Sequence, residues 1–355
     1  MTRNLDQVSG LVMGLHHITL VTTNQEVNRR FCTEILGLKR VKLTVNQDDP
    51  LHRHLFYADD KGTTGSAITF FEWPELPRGR IGLGSPHHLA YSVPEPSALG
   101  KWKAWLTTNG VPSSGPYARE GRVSLYLRDP DGVVVELTSP SKNAGSESVL
   151  SDSVPDVHRI ESDMKLTTFN HASPITSDQQ LTGKFLNKFV GIEKTYSKPN
   201  PDQLGADIVS FGNQEKPDFL RYLSYPSIQD GVVGRGNIHH VALAVEEDED
   251  QLKIMRRMNE VGMDNSGIVD RFWFKSLYFR DPDGNLLEIA TKRPGYTADE
   301  KPEQLGTSLV LPAWLEPKRQ TIETYLKETD RKNSSNWPPS DYPKIECPPE
   351  SLVQI

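Results

Sequence analysis

Two histidine pairs and one glutamate are the residues of this chain best suited to hold a metal ion. The pairs stand in GLHHITLV at 14–21 and in NIHHVALAV at 237–245, and Glu288 follows His240 by 48 residues, in NLLEIA. Both pairs open short apolar segments of strand type. Successive strand residues point to opposite faces, so one member of each pair can face a given cavity. On that rule His17 shares a face with Thr19 and Val21, His240 with Ala242 and Ala244, and Glu288 with Leu286 and Ala290. Two imidazoles and one carboxylate suit Fe(II) or Mn(II) and leave positions open for substrate and oxygen. Zinc suits the set less well. A carboxylate in so apolar a run is costly unless it is paired, hydrogen-bonded or metal-bound.

The pattern recurs. His88 and Glu136 are also 48 residues apart, and aligning FNHASPIT with LHHITLVT puts His171 where His17 stands. His88, His171 and Glu136 are therefore a second candidate triad. Duplication, with one site kept and the other filled by hydrogen bonds, accounts for it without a second metal. The His17 triad is the preferred site.

The elements that must position these residues form a fourfold repeat. HHITLVTT, HHLAYSVP, NHASPITS and HHVALAVE begin at residues 16, 87, 170 and 239. Each is followed by a stretch with helix-like apolar spacing: VNRRFCTEILGL, ALGKWKAWLTTNG, QLTGKFLNKFVGI and QLKIMRRMNEVGM. The second and fourth units close on SLYLRDPDGVVVELTSP and SLYFRDPDGNLLEIATKRP, each a strand, a DPDG turn and a strand. The fold class expected is α+β: four βαβββ modules paired into two curved-sheet barrels. Two modules occupy 13–140, a Ser- and Asp-rich linker 141–165, and two further modules 166–295. An extension at 296–355 carries a short helix at 317–328 and a polar, proline-rich tail expected to be extended or disordered, or draped over the surface.

Composition excludes several classes. The 355 residues include 36% hydrophobic and 25% charged side chains, with a net charge of −7. That balance offers no global attraction to nucleic acid or to an anionic membrane. No apolar run approaches the roughly 20 residues that span a bilayer, and MTRNLDQVSG lacks the apolar core of a secretory signal. Two cysteines, Cys32 and Cys347, are too few for a disulfide framework. A cytoplasmic enzyme, with a homo-oligomer compatible with this composition, is the expectation.

The repeated units resemble the vicinal oxygen chelate superfamily, which includes glyoxalase I and the extradiol dioxygenases. More closely, the chain resembles its ring-cleaving, hydroquinone 1,2-dioxygenase-like branch. The residues that carry this are HHITLVT at 16–22, LGLKRVKLTVNQDDP at 36–50, LFYADDKG at 55–62 and ITFFEWP at 68–74. IHHVALAV at 238–245, DPDGNLLEIAT at 281–291 and LPAWLEPKRQTIE at 311–323 add to it. The resemblance spans about residues 13–325. It implies an Fe(II) enzyme that opens an aromatic diol with O2, its metal on His17, His240 and Glu288. It also implies that His16, Thr19, His239, Arg271 and Tyr278 surround the substrate.

By residue type His16 and His239 could act as acid or base near neutrality. Strand alternation turns both away from the ligands, so a bulge would have to redirect them, and a role beside the ligands is equally open. Asn46 and Asp48 are expected to order a loop. His52 and His54 lack a carboxylate partner at useful spacing. Phe70, Phe71, Trp73, Phe272, Trp273 and Phe274 divide between core and a pocket for a flat ring. The glycines at 79, 82 and 84 lack the Lys-Ser/Thr of a phosphate loop. Two rival functions remain. A glyoxalase-type isomerase or lyase would take a fourth ligand, with Glu72 as the candidate. A small-molecule-sequestering protein would need the cavity without the metal.

Overall fold

The computed structural model describes residues 8–119, 121–140, 157–333 and 336–345. Residues 141–156 of the expected linker and 346–355 of the extension, with Cys347, lie outside them. The first module is β1 (Val12–Thr22), α1 (Gln25–Arg30), β2 (Lys39–Val45), β3 (Arg53–Ala58) and β4 (Ala67–Glu72). The second is β5 (His88–Ser92), α2 (Ala98–Thr108), β6 (Ser113–Arg119), β7 (Arg122–Arg128) and β8 (Val134–Pro140). The third is β9 (Phe169–Ser173) with its continuation β10 (Ile175–Thr176), α3 (Gln179–Phe185), β11 (Glu193–Pro199), β12 (Asp207–Gly212) and β13 (Leu220–Ser224). The fourth is β14 (Ile238–Val245), α4 (Asp248–Asn259), β15 (Asn265–Asp270), β16 (Lys275–Arg280) and β17 (Leu286–Thr291). Local chemistry starts two of the helices. The Asn24 side chain accepts from the Glu26 and Val27 amides, and Asp178 accepts from Gln180 and Leu181.

The strands make two mixed sheets, ordered β15-β16-β17-β14-β1-β4-β3-β2 and β11-β12-β13-β9-β5-β8-β7-β6. Each half of the chain contributes one module to each sheet. The expected barrels do not form: both sheets are open paths, and among the described residues no ladder joins β15 to β2 or β11 to β6. In the first sheet the free edge of β2 is taken instead by the C-terminal extension, through a bridge from Leu43 to Leu309 and a bond from Val310 N to Leu43 O of 2.9 Å. In the second, β11 is an exposed strand that carries Lys194, Lys198 and Pro199, residues that discourage further pairing.

The inner faces of both sheets meet in one core that includes Ile18, Leu20 and Ile68 from the first and Leu89, Leu137 and Ala172 from the second. His17 and Thr19 alternate with those core residues and occupy the opposite face of β1. The glycine-rich run at 79–84 joins the first module to the second. It lies against the corresponding connection at 230–235, with Arg80 and Val232 exchanging backbone bonds of 2.9 and 2.8 Å. A Cβ on Gly82 would stand 2.4 Å from the Gln229 carbonyl oxygen, so close backbone approach accounts for glycine there.

The extension folds back on the body. Its helix α5 runs Arg319–Lys332, starting and ending later than the expected 317–328, after a tight turn at Glu316–Lys318. Beyond it the described part of the tail lies against the body: Tyr342 donates to the Arg128 carbonyl at 2.9 Å and Trp337 to that of Asn109 at 3.2 Å. No helix among the described residues is long and apolar enough to cross a membrane.

A buried lysine fastens this extension to β2. Lys42 is fully buried, bonds Asp299 and Glu300, and lies 5.2 Å from the centre of the Trp273 ring. Removing the cation leaves the Glu300 carboxylate, 7% exposed, without its partner. Lys42→Ala is expected to lower stability by about 3 kcal/mol, read as a shift in the midpoint of urea unfolding.

Candidate metal centre

β1 and β14 run antiparallel, with His17 beside Ala242 and Thr19 beside His240. β14 runs parallel to β17, with Ala242 beside Glu288. His17, Ala242 and Glu288 thus form a row across three strands, and His240 lies two residues along β14 on the same face. The small alanine in the row leaves space that the three longer side chains fill. Glu288 Oε2 lies 3.3 Å from His17 Nε2 and 3.0 Å from His240 Nε2, and the two ring nitrogens are 3.3 Å apart. The three are buried and their ligand atoms lie within 4.8 Å of one another.

Bulges settle the direction of the remaining two histidines. The register of β1 against β14 shifts between Leu15 and His17, and again between Thr19 and Leu20, where β14 passes from His240 to Ile238. His16 and His239 are the extra residues, and a bulge re-aims its side chain. Both rings turn back to the ligands: the Nδ1 atoms of His16 and His17 are 2.9 Å apart, those of His239 and His240 2.8 Å. A metal held by His17 Nε2 would leave the His17 proton on Nδ1, with His16 Nδ1 as its acceptor.

Burial first, and then the adjacent ligand histidine, pushes His16 and His239 down to about 3. Both rings are neutral at pH 7, so the near-neutral titration expected from residue type is displaced by burial. Burial alone would raise the Glu288 carboxyl, but His17 and His240 outweigh it and hold Glu288 well below the usual carboxylate range. The Ser276 hydroxyl donates to Glu288 Oε1 at 2.5 Å, while Oε2 is buried with no hydrogen-bond partner. A buried, orphaned carboxylate oxygen facing two imidazole nitrogens fits a divalent transition-metal ion.

The triad opens on a recess. His54, Phe56, Phe71, Trp273 and Phe274 make its aromatic wall, and Asn46, Gln47, Arg271 and Tyr278 its polar side. The turn from β15 to β16 holds Phe272 at φ +72°, uncommon for a bulky side chain. The Asp270 carboxylate, which accepts from the Phe272 amide at 2.7 Å, supports that turn, from which Arg271, Trp273 and Phe274 reach the recess. Burial disfavours the Arg271 charge, but its two bonds to Asp48, 3.1 and 2.8 Å, outweigh burial and keep the guanidinium charged. Burial raises the Tyr278 phenol, which stays protonated.

Of the residues singled out from sequence, His17, His240, Arg271 and Tyr278 line the recess, while Thr19, His16 and His239 stand behind it. Asn46 orders its loop, its side chain accepting from the Asp48 amide at 3.0 Å. His52 pairs with Asp49 at 2.6 Å, away from the site. Phe70 belongs to the core. Sequence reasoning weighed His54 only as a metal ligand and missed its place in the recess, where it packs 4.1 Å from Phe56 and 4.4 Å from Phe71 and bonds the Thr69 hydroxyl at 2.9 Å. The alternation of HLF in β3 was the available signal. Gln47 and Ser276 were also missed, although Ser-Leu-Tyr precedes both DPDG turns.

Glu72 is not a fourth ligand. It alternates with Phe71 on β4 and faces away, where Arg53 donates to it at 2.7 Å and the Gln25 amide at 3.1 Å. At the register position on β4 that faces the triad stands Thr69, whose hydroxyl lies 2.8 Å from that of Thr19.

Four βαβββ modules with a buried His-His-Glu set are the features of one superfamily. Residues 14–137 and 168–289 match the Glyoxalase/Bleomycin resistance protein/Dioxygenase superfamily, and the chain belongs to it. It is 33% identical over 319 residues to MhqA of Bacillus subtilis, described as a candidate ring-cleaving dioxygenase, an alignment covering 89% of this chain and 98% of that one. It is 26% identical to the chlorohydroquinone/hydroquinone 1,2-dioxygenase of Sphingobium indicum, covering 87% and 94%. The crystal structure of a candidate dioxygenase from Bacillus subtilis superposes with a TM-score of 0.75 at 30% identity, covering 88% of this chain and 96% of that one.

The Nδ1 contacts have a measurable consequence. His16→Ala, which deletes the acceptor for His17 Nδ1–H, is expected to weaken metal binding about 10-fold or more. His16→Asn, which can restore an acceptor, should recover part of that loss in a competition titration with a chelator.

Proposed function

We propose that this chain is a metal-dependent ring-cleaving dioxygenase that uses Fe(II), with Mn(II) as the substitute ion, to open a dihydroxylated aromatic ring with O2. The ring is of hydroquinone type, bare or substituted, or catecholic. The observation that carries this reading is a buried three-residue ligand set, with no fourth ligand from β4, beside a recess walled by flat side chains. An open-sided set of this kind suits chemistry in which both substrate and O2 need coordination positions. The activities named for the Bacillus and Sphingobium relatives point the same way.

His17, His240 and Glu288 would hold the ion, which supplies Lewis acidity to a ring hydroxyl and a route for electrons between ring and O2. The remaining work falls to the chain. The His54, Phe56 and Phe71 rings offer a stack for the substrate and exclude water from its face. Arg271, charged and lying 5.4 Å from the centre of the Tyr278 ring, offsets the negative charge of a bound phenolate. Tyr278 keeps its proton at the hydroxyl and can donate it to an oxygen on the ring. His16 and His239 stay neutral and hold the ligand rings in their metal-binding orientation.

The decisive experiment is anaerobic reconstitution with Fe(II), followed by O2 uptake on a panel of hydroquinones and catechols. Uptake with ring opening is expected; no uptake on any ring despite a full metal load defeats the reading. His240→Ala should abolish iron binding, and Tyr278→Phe should lower kcat about 100-fold while iron content stays unchanged.

A further inference from the structure

The second sheet repeats the construction of the first. β5 lies antiparallel to β9 and parallel to β8, so that His171, Ala90 and Glu136 form a row and His88 stands beside Ser173. This is the register of His17, Ala242 and Glu288, with His240 beside Thr19. Glu136 Oε2 lies 3.3 Å from both His88 Nε2 and His171 Nε2. The Ser124 hydroxyl donates to Glu136 Oε1 at 2.5 Å, as Ser276 does to Glu288. The register of β9 against β5 slips between Ala90 and Tyr91, leaving Asn170 as the extra residue, just as His16 is on β1. Asn170 and His87 then sit 2.9 Å from Nδ1 of His171 and His88.

One of these contacts fixes a proton. Arg122 donates to Asn170 Oδ1 at 3.2 Å, and Arg122 is itself held by Asp218 at 2.8 Å. The Asn170 amide is thereby oriented with its oxygen toward His171 Nδ1. An amide oxygen only accepts, so His171 Nδ1 carries a proton, and in the neutral ring Nε2 keeps a lone pair. That lone pair faces the Glu136 carboxylate. Both His171 Nε2 and Glu136 Oε2 are buried without a hydrogen-bond partner. Two acceptors aimed at each other where solvent does not reach repel unless a cation lies between them.

We propose that His88, His171 and Glu136 bind a second divalent transition-metal ion, with the Ser173 hydroxyl as a fourth donor. Ser173 Oγ lies 3.1 Å from His88 Nε2, and all four residues are fully buried. At the first centre the corresponding Thr19 hydroxyl is engaged by Thr69 instead. In the second sheet the register position of Thr69 holds Arg221, a buried arginine. The second ion is therefore structural: it is enclosed by protein donors and holds β5, β8 and β9 together.

The count of ions tests this independently of what the first centre turns over. The full chain is unfolded in chelator, refolded anaerobically with Fe(II) or Zn(II), desalted and analysed for metal. About two ions per chain are expected for the wild type and about one for both Glu136→Gln and Glu288→Gln. Ring cleavage should survive the first substitution and vanish with the second. Anomalous diffraction from metal-loaded wild-type crystals should show a peak among His88, His171 and Glu136. That measurement decides the matter even if Glu136→Gln fails to fold. About one ion per chain at saturating metal, with density at the first triad alone, overturns the proposal. That result would mean a proton, not a metal, separates His171 from Glu136.

Discussion

Everything at the centre depends on the antiparallel pairing of β1 with β14. The ladder joins two strands whose ligand histidines are 223 residues apart in the chain. Its register sets His17 against Ala242, and the parallel strand β17 adds Glu288 to the same row. A slip of one residue would turn every ligand to the core face and bring Ile18 and Val241 outward. Long-range strand pairing is thus the condition for the metal set. The core behind it, with Ile18, Leu20 and Leu243 fully buried, is what makes the register costly to change.

The two sheets are clamped by one interaction used twice. The turn after β7 sends Asp131 into the end of β1, where the Thr22 and Thr23 hydroxyls donate to it at 2.7 and 2.8 Å. The turn after β16 sends Asp283 into the end of β10, where Thr176 and Ser177 donate at 2.6 Å each. In each turn the first aspartate, Asp129 or Asp281, accepts amides of its own loop. The repeated DPDG motif therefore serves as turn and as docking contact at once. Buried aspartates in these positions are raised, Asp129 to about 8 and Asp281 to about 6, chiefly by burial.

Duplication has left the buried frame of the two triads alike and their surroundings different. Both keep the histidine–glutamate row, the serine on Oε1 and the partner at each Nδ1. What sets the first apart is the aromatic wall from β3, β4 and the β15–β16 turn, together with the extension latched over it through Lys42, Asp299 and Trp273. Those parts come from segments where the modules diverge. The site that opens to a flat ring is thus made by the variable segments, and the ligand frame by the shared ones.

The sequence by itself marked the modules, the candidate ligands and a divalent transition metal as their partner, because these rest on local rules. Alternation sorts strand faces, the repeat of His and Glu at a fixed spacing marks equivalent strands, and DPDG marks turns. It also pointed away from His16 and His239 as ligands, since neighbours on a regular strand diverge. Tertiary structure alone decided the rest. Closure into barrels depends on whether edge strands meet, and here the extension covers β2 instead. The return of His16 and His239 toward the ligands depends on bulges, which arise from the fit between two strands and leave no mark in either one. Glu72 could be read as a ligand until Arg53 and the fold of β4 claimed it. His54 gained its place only when β3 was laid beside β4. Residue type and spacing record what each strand can offer; which side chains share a space is fixed by contacts between segments far apart in the chain.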